Sequence, residues 1–560
     1  MTGPYNVVAA VRVLGSRIFG GAGNEGGEPP VEPQPSASPR RKHLAGVIIA
    51  ATLFAIYVGN GDAAPGNDAS PNVYLAATLL SRGTLAYTPE SNPLFFRWTL
   101  AHDGELVTGT FRSWDDPADG RTMRQLFREG RLFSPVAFYY LARTTQPGIY
   151  VPVYGAATGL FALPFVAAVY PFVKDLPERP RLLWFLCKLA ASFAVAGSAW
   201  FLFLIAADHM RLSSAVLLTL SYGLATSVWS VSSQTLWQHA PGELFLALGM
   251  FCLFRRKQTY APYLAGFAFG LAFMCRPTNS LAVAAGLLFL LSDRRAALAY
   301  LLGGVPVAIA FFAYNLHFFG TLISFGQVST LAERIRMGDT AALWQYPFAK
   351  GLAGVLVSPS RGIFVYSPIL LVSLWASFRI WKERRWIPLR AAALAAVGIW
   401  VVTARWMGWW GGWSYGYRMV VDSAILLAFL AIPVVESIRR RRGLAWAVGA
   451  LLLWSVGVQA LGAFVYDLGG WNNQWGYVVL SSEGRPGDVY FTTKGEAGAY
   501  CHDHGCSYKK VHLNVDIRRY SGRLWSIGDS QILYYLQNVK PSVKRKAAYL
   551  RELLGPDGRS

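Results

Sequence analysis

Long apolar stretches separated by short polar connections set the pattern of this chain. Crossing the hydrocarbon core of a bilayer takes roughly 20 mostly apolar residues. Runs of this kind lie near 44–60, 182–206, 213–232, 240–254, 261–275, 280–292, 297–315, 362–378, 388–404, 419–435 and 443–465. They predict eleven transmembrane helices, the shorter ones relying on close packing within a bundle. A further run, Tyr150–Phe172, carries Pro152, Pro164 and Pro171 and reads either as a span or as a juxtamembrane hairpin. Ahead of the first run, Tyr5–Phe19 has Arg12 and Arg17 on one side of a short amphipathic pattern, which suits a surface helix or a frayed tail. Gly20–Pro39 is rich in Gly, Pro and Glu and is expected to be a disordered linker. The basic flank Arg40-Arg41-Lys42 comes too late for a secretory signal, so the first apolar run is taken as an uncleaved span.

Charge decides how the run Tyr150–Phe172 is read. If it does not cross, the inner connections (40–43, 207–213, 255–260, 292–296, 379–390, 436–443) hold 18 Lys and Arg, and the outer ones (231–242, 275–280, 316–361, 405–418) hold 7. If it does cross, every later loop inverts and Arg255-Arg256-Lys257 and Arg439 to Arg442 face outward. Lys and Arg in short loops set orientation, so the run is expected to fold against the outer leaflet. The chain then divides into a cytoplasmic tail (1–43), a transmembrane domain (44–465) and a small extracytoplasmic C-terminal domain (466–560), with 60–181 as a large first outer loop.

Composition supports this and removes the alternatives. Hydrophobic residues make up 53% of the chain against 15% charged, and the mean hydropathy is +0.32. A soluble nucleic-acid binder with a net charge of +21 would be rich in charge overall, and this chain is poor in it. The 20 Trp, 33 Phe and 27 Tyr suit aromatic belts at two membrane interfaces. The expected fold class is an all-α polytopic membrane protein that contacts membrane lipids and no nucleic acid.

Under this topology the polar and aromatic clusters gather at the outer helix ends, and Lys188 and Glu243 are the main ionisable residues between them. In the first outer loop Asp68 precedes Ser70-Pro71, an expected N-cap and first helical residue. Leu75, Ala76, Leu79 and Leu80 form one stripe and Gly83 ends the helix, which is expected to lie along the membrane surface. Asp62 is the alternative acid. Leu236-Trp237-Gln238-His239, Cys275-Arg276-Pro277-Thr278-Asn279, Tyr314-Asn315, Ser358-Pro359-Ser360-Arg361-Gly362 and the run Arg405 to Arg418 supply the other candidates. Arginine binds phosphate in a bidentate fork, although Arg276, Arg361 and Arg418 also suit snorkelling to lipid headgroups. Gly411 and Gly412 let backbone approach a ligand, and Trp409 and Trp410 offer either a sugar-stacking surface or an aromatic belt. Cys501 and Cys506 flank His502-Asp503-His504-Gly505. They read as a local disulfide, a metal site of unusual spacing or free thiols. Cys187, Cys252 and Cys275 read as packing residues.

Taken together, these motifs over about 44–436 resemble the GT-C class, integral membrane glycosyltransferases that use polyprenyl-phosphate sugars, and in particular a bacterial branch of it. Asp68 before Tyr74-Leu75, and Tyr150-Val151-Pro152-Val153-Tyr154, match the shared plan. The resemblance implies a bacterial cytoplasmic membrane location, a polyprenyl-phosphate sugar donor and an envelope glycan or lipid-linked acceptor. It implies Asp68 as catalytic base, with Tyr74, Gln238, His239, Arg276, Asn279, Asn315, Arg361, Trp409, Trp410, Tyr415 and Arg418 at the substrates. A divalent cation is the one cofactor left open. The lack of an Asp-x-Asp or Glu-x-Asp pair after the first span argues against it, and Tyr417 replaces an expected Pro. Two rival classes remain: a transporter of a lipid-linked sugar or polymer, which the scarcity of midplane charge disfavours, and a scaffold for envelope assembly.

Overall fold

The computed structural model describes residues 38–61, 68–102, 105–111, 117–118, 121–123, 125, 132–133, 140–324, 326, 344–515 and 518–553. The segment Tyr5–Phe19, nearly all of the predicted linker, Asp62 and the loop 330–340 lie outside them. Every predicted apolar run forms helix. Among the described residues five helices are long and apolar enough to cross a membrane: Pro39–Gly59, Pro180–His209, Arg294–Phe319, Arg384–Arg405 and Arg442–Val465. The other runs give shorter helices, among them Leu212–Ala225, His239–Phe254 and Ala261–Cys275. The chain is thus a mostly helical protein with membrane-spanning character.

Local chemistry explains several of the short lengths. Leu212–Ala225 stops where Thr226 turns its hydroxyl back to the Tyr222 carbonyl (2.7 Å) and the Ser227 amide donates to the Tyr417 hydroxyl (2.9 Å). Side chains of this kind compete with the helical ladder, and the chain continues as the π-turn Val228–Ser232. The run 362–378 breaks at Ser367-Pro368 into Ile363–Tyr366 and Leu371–Ile380, since proline lacks the donor and restricts the residue before it. Tyr150–Phe172 becomes a strand, Tyr150–Pro152, followed by the short helices Ala157–Phe161 and Leu163–Val169. At 1.5 Å per residue neither helix can cross a bilayer.

The chain forms two compact units. The first comprises the described parts of Met1–Val216, Ser232–Ala341 and Ser377–Ala396. In it Pro39–Gly59 packs on Pro180–His209, that helix on His239–Phe254, and so on through Ala261–Cys275 to Arg294–Phe319. Small residues let the last pair approach closely. A Cβ added to Gly266 would meet the Tyr300 carbonyl at 1.9 Å, and one on Gly303 would meet the Tyr263 carbonyl at 1.9 Å. Such contacts drive helix association where apolar lipid removes any hydrophobic gain.

The second unit comprises Leu217–Val231, Ala342–Ala376 and the described part of Val397–Ser560. The C-terminal region shares this compact unit with the later helices. The all-α expectation holds for the apolar runs and not beyond them. The connection between Pro39–Gly59 and Pro180–His209 holds an antiparallel sheet in the order Glu105–Thr110, Arg97–His102, Leu132–Phe133. The C-terminal region holds another, Tyr508–His512, Trp475–Leu480, Pro486–Phe491. Along Trp475–Leu480 burial begins by alternating, and Val478 packs with Leu513 and Tyr520 in a small core, the period-2 signature of a half-buried strand.

Candidate functional site

In the first unit the helix that follows the predicted acid is Ser70–Arg82, closed by Gly83 in the left-handed conformation (φ 67°) as its sequence predicts. Two expectations change. The N-cap is Ala69, with no side-chain cap, one residue before the expected Ser70. The helix is also not a surface helix with one apolar stripe, because every residue from Ser70 to Thr78 is buried. The short helices Ala157–Phe161 and Leu163–Val169 and the long Pro180–His209 pack on it, and Gly159 sits so close that a Cβ there would lie 2.7 Å from the Leu75 Cβ. Asp68 is itself buried, at 8% exposure, just ahead of this enclosed helix. Tyr74 is buried and packs edge-on against Phe95 at 5.3 Å. Burial pushes its phenol up to about 12, with the nearby Cys187 adding to the shift, so it serves as a neutral hydroxyl.

Asn72, one turn beyond Asp68, donates from Nδ2 to the Leu236 carbonyl at 3.3 Å. That bond ties the helix after Asp68 to Trp237-Gln238-His239, all three buried. His239 opens the helix His239–Phe254, and its Nδ1 lies 3.3 Å from Arg276 Nη1. A guanidinium can only donate, so Nδ1 accepts and the neutral imidazole carries its proton on Nε2. Arg276 is only 5% exposed and caps the C-terminus of Ala261–Cys275 in an extended conformation. Asn279 follows in a 3-10 turn, fully buried, with Nδ2 donating to the Ala272 carbonyl at 3.2 Å. Among the described residues Asn72 Oδ1, Thr278 Oγ1 and Asn279 Oδ1 are buried without a hydrogen-bond partner. The predicted His239 and Arg276 thus meet. Together with the helix N-terminus they form a setting that favours an anion. Asn315 donates to the Leu322 carbonyl (3.2 Å) and closes the end of its own helix.

The second unit gives its predicted residues other work. Arg361 is 1% exposed and donates to the Trp410 (2.8 Å), Ser360 (3.0 Å) and Gly412 (3.1 Å) carbonyls, to Gln531 Oε1 (2.7 Å) and to Asn472 Oδ1 (2.9 Å). Guanidinium has five N–H groups, and these bonds occupy them all. The phosphate-clamp expectation for Arg361 therefore gives way to a structural one. Gly411 and Gly412 adopt positive φ (79° and 62°). They turn the chain where the Trp410 and Gly412 carbonyls reach Arg361. Trp409 is 2% exposed among Trp410, Trp525 and Tyr346. A Cβ on Gly354 would lie 2.4 Å from its ring, so it packs and offers no open face to a sugar. Tyr415 is 1% exposed and donates to the Val458 carbonyl (2.7 Å). Tyr417 joins Ser227 and Ser367 (both 2.9 Å), a role proline could not fill. Arg418 is half-buried at the start of the 3-10 turn Arg418–Val420.

Sequence reasoning missed Gln531 and Asn472. Gln531 Oε1 accepts from Arg361, Tyr366 (3.0 Å) and the Gly416 amide (3.0 Å), while Nε2 donates to the Ser414 carbonyl (3.0 Å). A lone glutamine in a polar segment carries no pattern that would reveal this. Cys501 and Cys506 are joined by a disulfide. Among the described residues no group of three or more His, Cys, Asp or Glu side chains comes together as a metal site. No protein-family model matches the chain, and no curated protein does.

Proposed function

We propose that this chain is a membrane glycosyltransferase that moves one sugar from a polyprenyl-phosphate donor to an envelope glycan or lipid-linked acceptor at the outer face of a bacterial cytoplasmic membrane. The observation that carries the reading is the pairing of Arg276 with His239 at the N-terminus of an apolar helix, in the unit that holds Asp68. Arg276, the Nε2–H of His239 and the helix N-terminus suit a phosphate, and Asp68 lies one turn ahead of the Asn72 bond that reaches the same motif. The acceptor hydroxyl attacks the anomeric carbon of the donor while the bond from that carbon to the phosphate oxygen breaks. The polyprenyl phosphate leaves with the electron pair, and Asp68 takes the hydroxyl proton. Arg276 stabilises the charge that develops on the departing phosphate, the larger contribution. Arg418 keeps its proposed donor-binding role on resemblance alone, and Arg361 does not.

The test uses purified protein in lipid vesicles with a labelled polyprenyl-phosphate sugar. Asp68→Asn should lower transfer by roughly 100-fold or more, the scale of lost general-base catalysis, while Asp62→Asn stays near full rate. Normal transfer by Asp68→Asn would remove Asp68 from the mechanism. In cells, loss of the protein should leave envelope glycans lacking a single sugar, whereas accumulation of intact precursor would favour the transporter.

A further inference from the structure

A pocket of about 210 Å³ opens where Pro180–His209 and His239–Phe254 both end and Arg384–Arg405 begins. One water takes roughly 30 Å³ of liquid, so the space admits a polyatomic group. Arg255, Arg256 and Arg385 line it, and Asp208 is the one carboxylate on its wall. That carboxylate is already shared between Lys42 (3.0 Å) and Arg255 (3.0 Å). Arg385 uses Nε on Glu383 (2.7 Å), and its two terminal NH₂ groups meet no protein acceptor among the described residues. Arg256 lies over the Phe289 ring at 4.9 Å, and its guanidinium donates to no acceptor among the described residues. In the wall, His209 donates from Nδ1 to the Ile205 carbonyl (2.8 Å) and packs between Phe254 (5.4 Å) and Trp386 (5.1 Å).

Three guanidiniums around a space with one neutralised carboxylate leave an excess of positive charge and unused forked donors. That combination recognises phosphate better than it recognises any neutral group. We propose that this pocket binds a phosphate group, supplied either by the headgroup of an anionic phospholipid or by a soluble phosphate compound. The inference stands apart from the transferase reading, since none of its residues belongs to the Asp68–His239–Arg276 set. The apolar residues Ile205 and Phe254, at the ends of bilayer-length and shorter apolar helices, are the part of the pocket an acyl-chain-bearing ligand would use.

Native mass spectrometry of the full chain in a neutral detergent tests the proposal, with phosphatidylglycerol and phosphatidylcholine as lipid probes. Calorimetric titration with inorganic phosphate is the soluble arm. Wild-type protein should retain phosphatidylglycerol over phosphatidylcholine. The double substitution R256Q/R385Q should weaken that retention by about tenfold or more, the scale of losing charge-assisted hydrogen bonds. R256K/R385K keeps the charge and the fold and should fall between the two, because lysine lacks the fork. Binding of inorganic phosphate with no lipid preference, lost in R256Q/R385Q, would assign the site to a soluble phosphate. Unchanged phosphatidylglycerol retention in both double variants, or no binding of either probe to wild type, overturns the proposal.

Discussion

Arg361 and Arg276 look alike in sequence, each an arginine at a helix end beside small and polar residues, and the structure shows what the Arg361 donors meet. Arg361 satisfies all five N–H groups internally, so Arg361→Lys loses at least two bonds, each worth about 1 kcal/mol or more when buried. Its melting temperature should fall clearly. Arg276→Lys should lower donor use, and a differential-scanning assay beside the transfer assay reads both substitutions. Asp467 gives a prediction in pH. Burial raises its carboxyl above the usual range, only partly offset by Arg545 at 3.0 Å. The native state then holds this proton more tightly than the unfolded chain does. Its contribution to stability must fall as pH rises from about 3.9 to the raised value, and must stay flat above it. Melting curves of wild type minus Asp467→Asn, taken from about pH 4 to pH 7, should show that decline; a rising difference would reverse the assignment. Asp68 was legible because a helix-start signal follows it, but its burial was not, because the residues that cover that helix come from distant parts of the chain.

Whole helices were the most legible level, since hydropathy reports directly what lipid requires. All eleven apolar runs became helix, yet their lengths did not follow from hydropathy. The Thr226 and Ser227 interruption depends on a tyrosine at 417, and the helix Ser70–Arg82 shows one apolar stripe in sequence (Leu75, Ala76, Leu79, Leu80) while Ser70 to Thr78 are all buried. The sheets in 97–133 and 475–512 were missed because short strands beside long apolar runs carry a weak signal. The glycine contact between Ala261–Cys275 and Arg294–Phe319 supports a sharp test at this scale. Gly266→Val places a side chain into the Tyr300 backbone, which no rotamer change relieves. The cost should reach about 2–4 kcal/mol, the upper range of overpacking. Loss of folded protein in size-exclusion chromatography would report it, whereas Gly449→Val, with open space around its Cβ position, should behave as wild type.

For the whole molecule the basic connections make the orientation testable. Cysteines placed at Lys257 and Arg440 should resist an impermeant thiol reagent in intact cells, and one at Gly484 should react. The reverse pattern would invert the expected topology. Intact mass without reductant should show the Cys501–Cys506 bond, which fits an oxidising compartment for the C-terminal region.

The hold of Gln531 on Arg361 spans 170 residues of chain, and that distance is also a delay. At about 5–20 residues per second of synthesis, the helix end bearing Arg361 waits roughly 10–30 s before its glutamine partner has been made. During that interval a guanidinium destined for burial must stay hydrated or borrow lipid phosphate. Premature termination anywhere between 472 and 531 leaves it permanently short of at least one acceptor. Nascent chains cut there should be recognised as unfinished and degraded, even though every apolar segment has already been inserted.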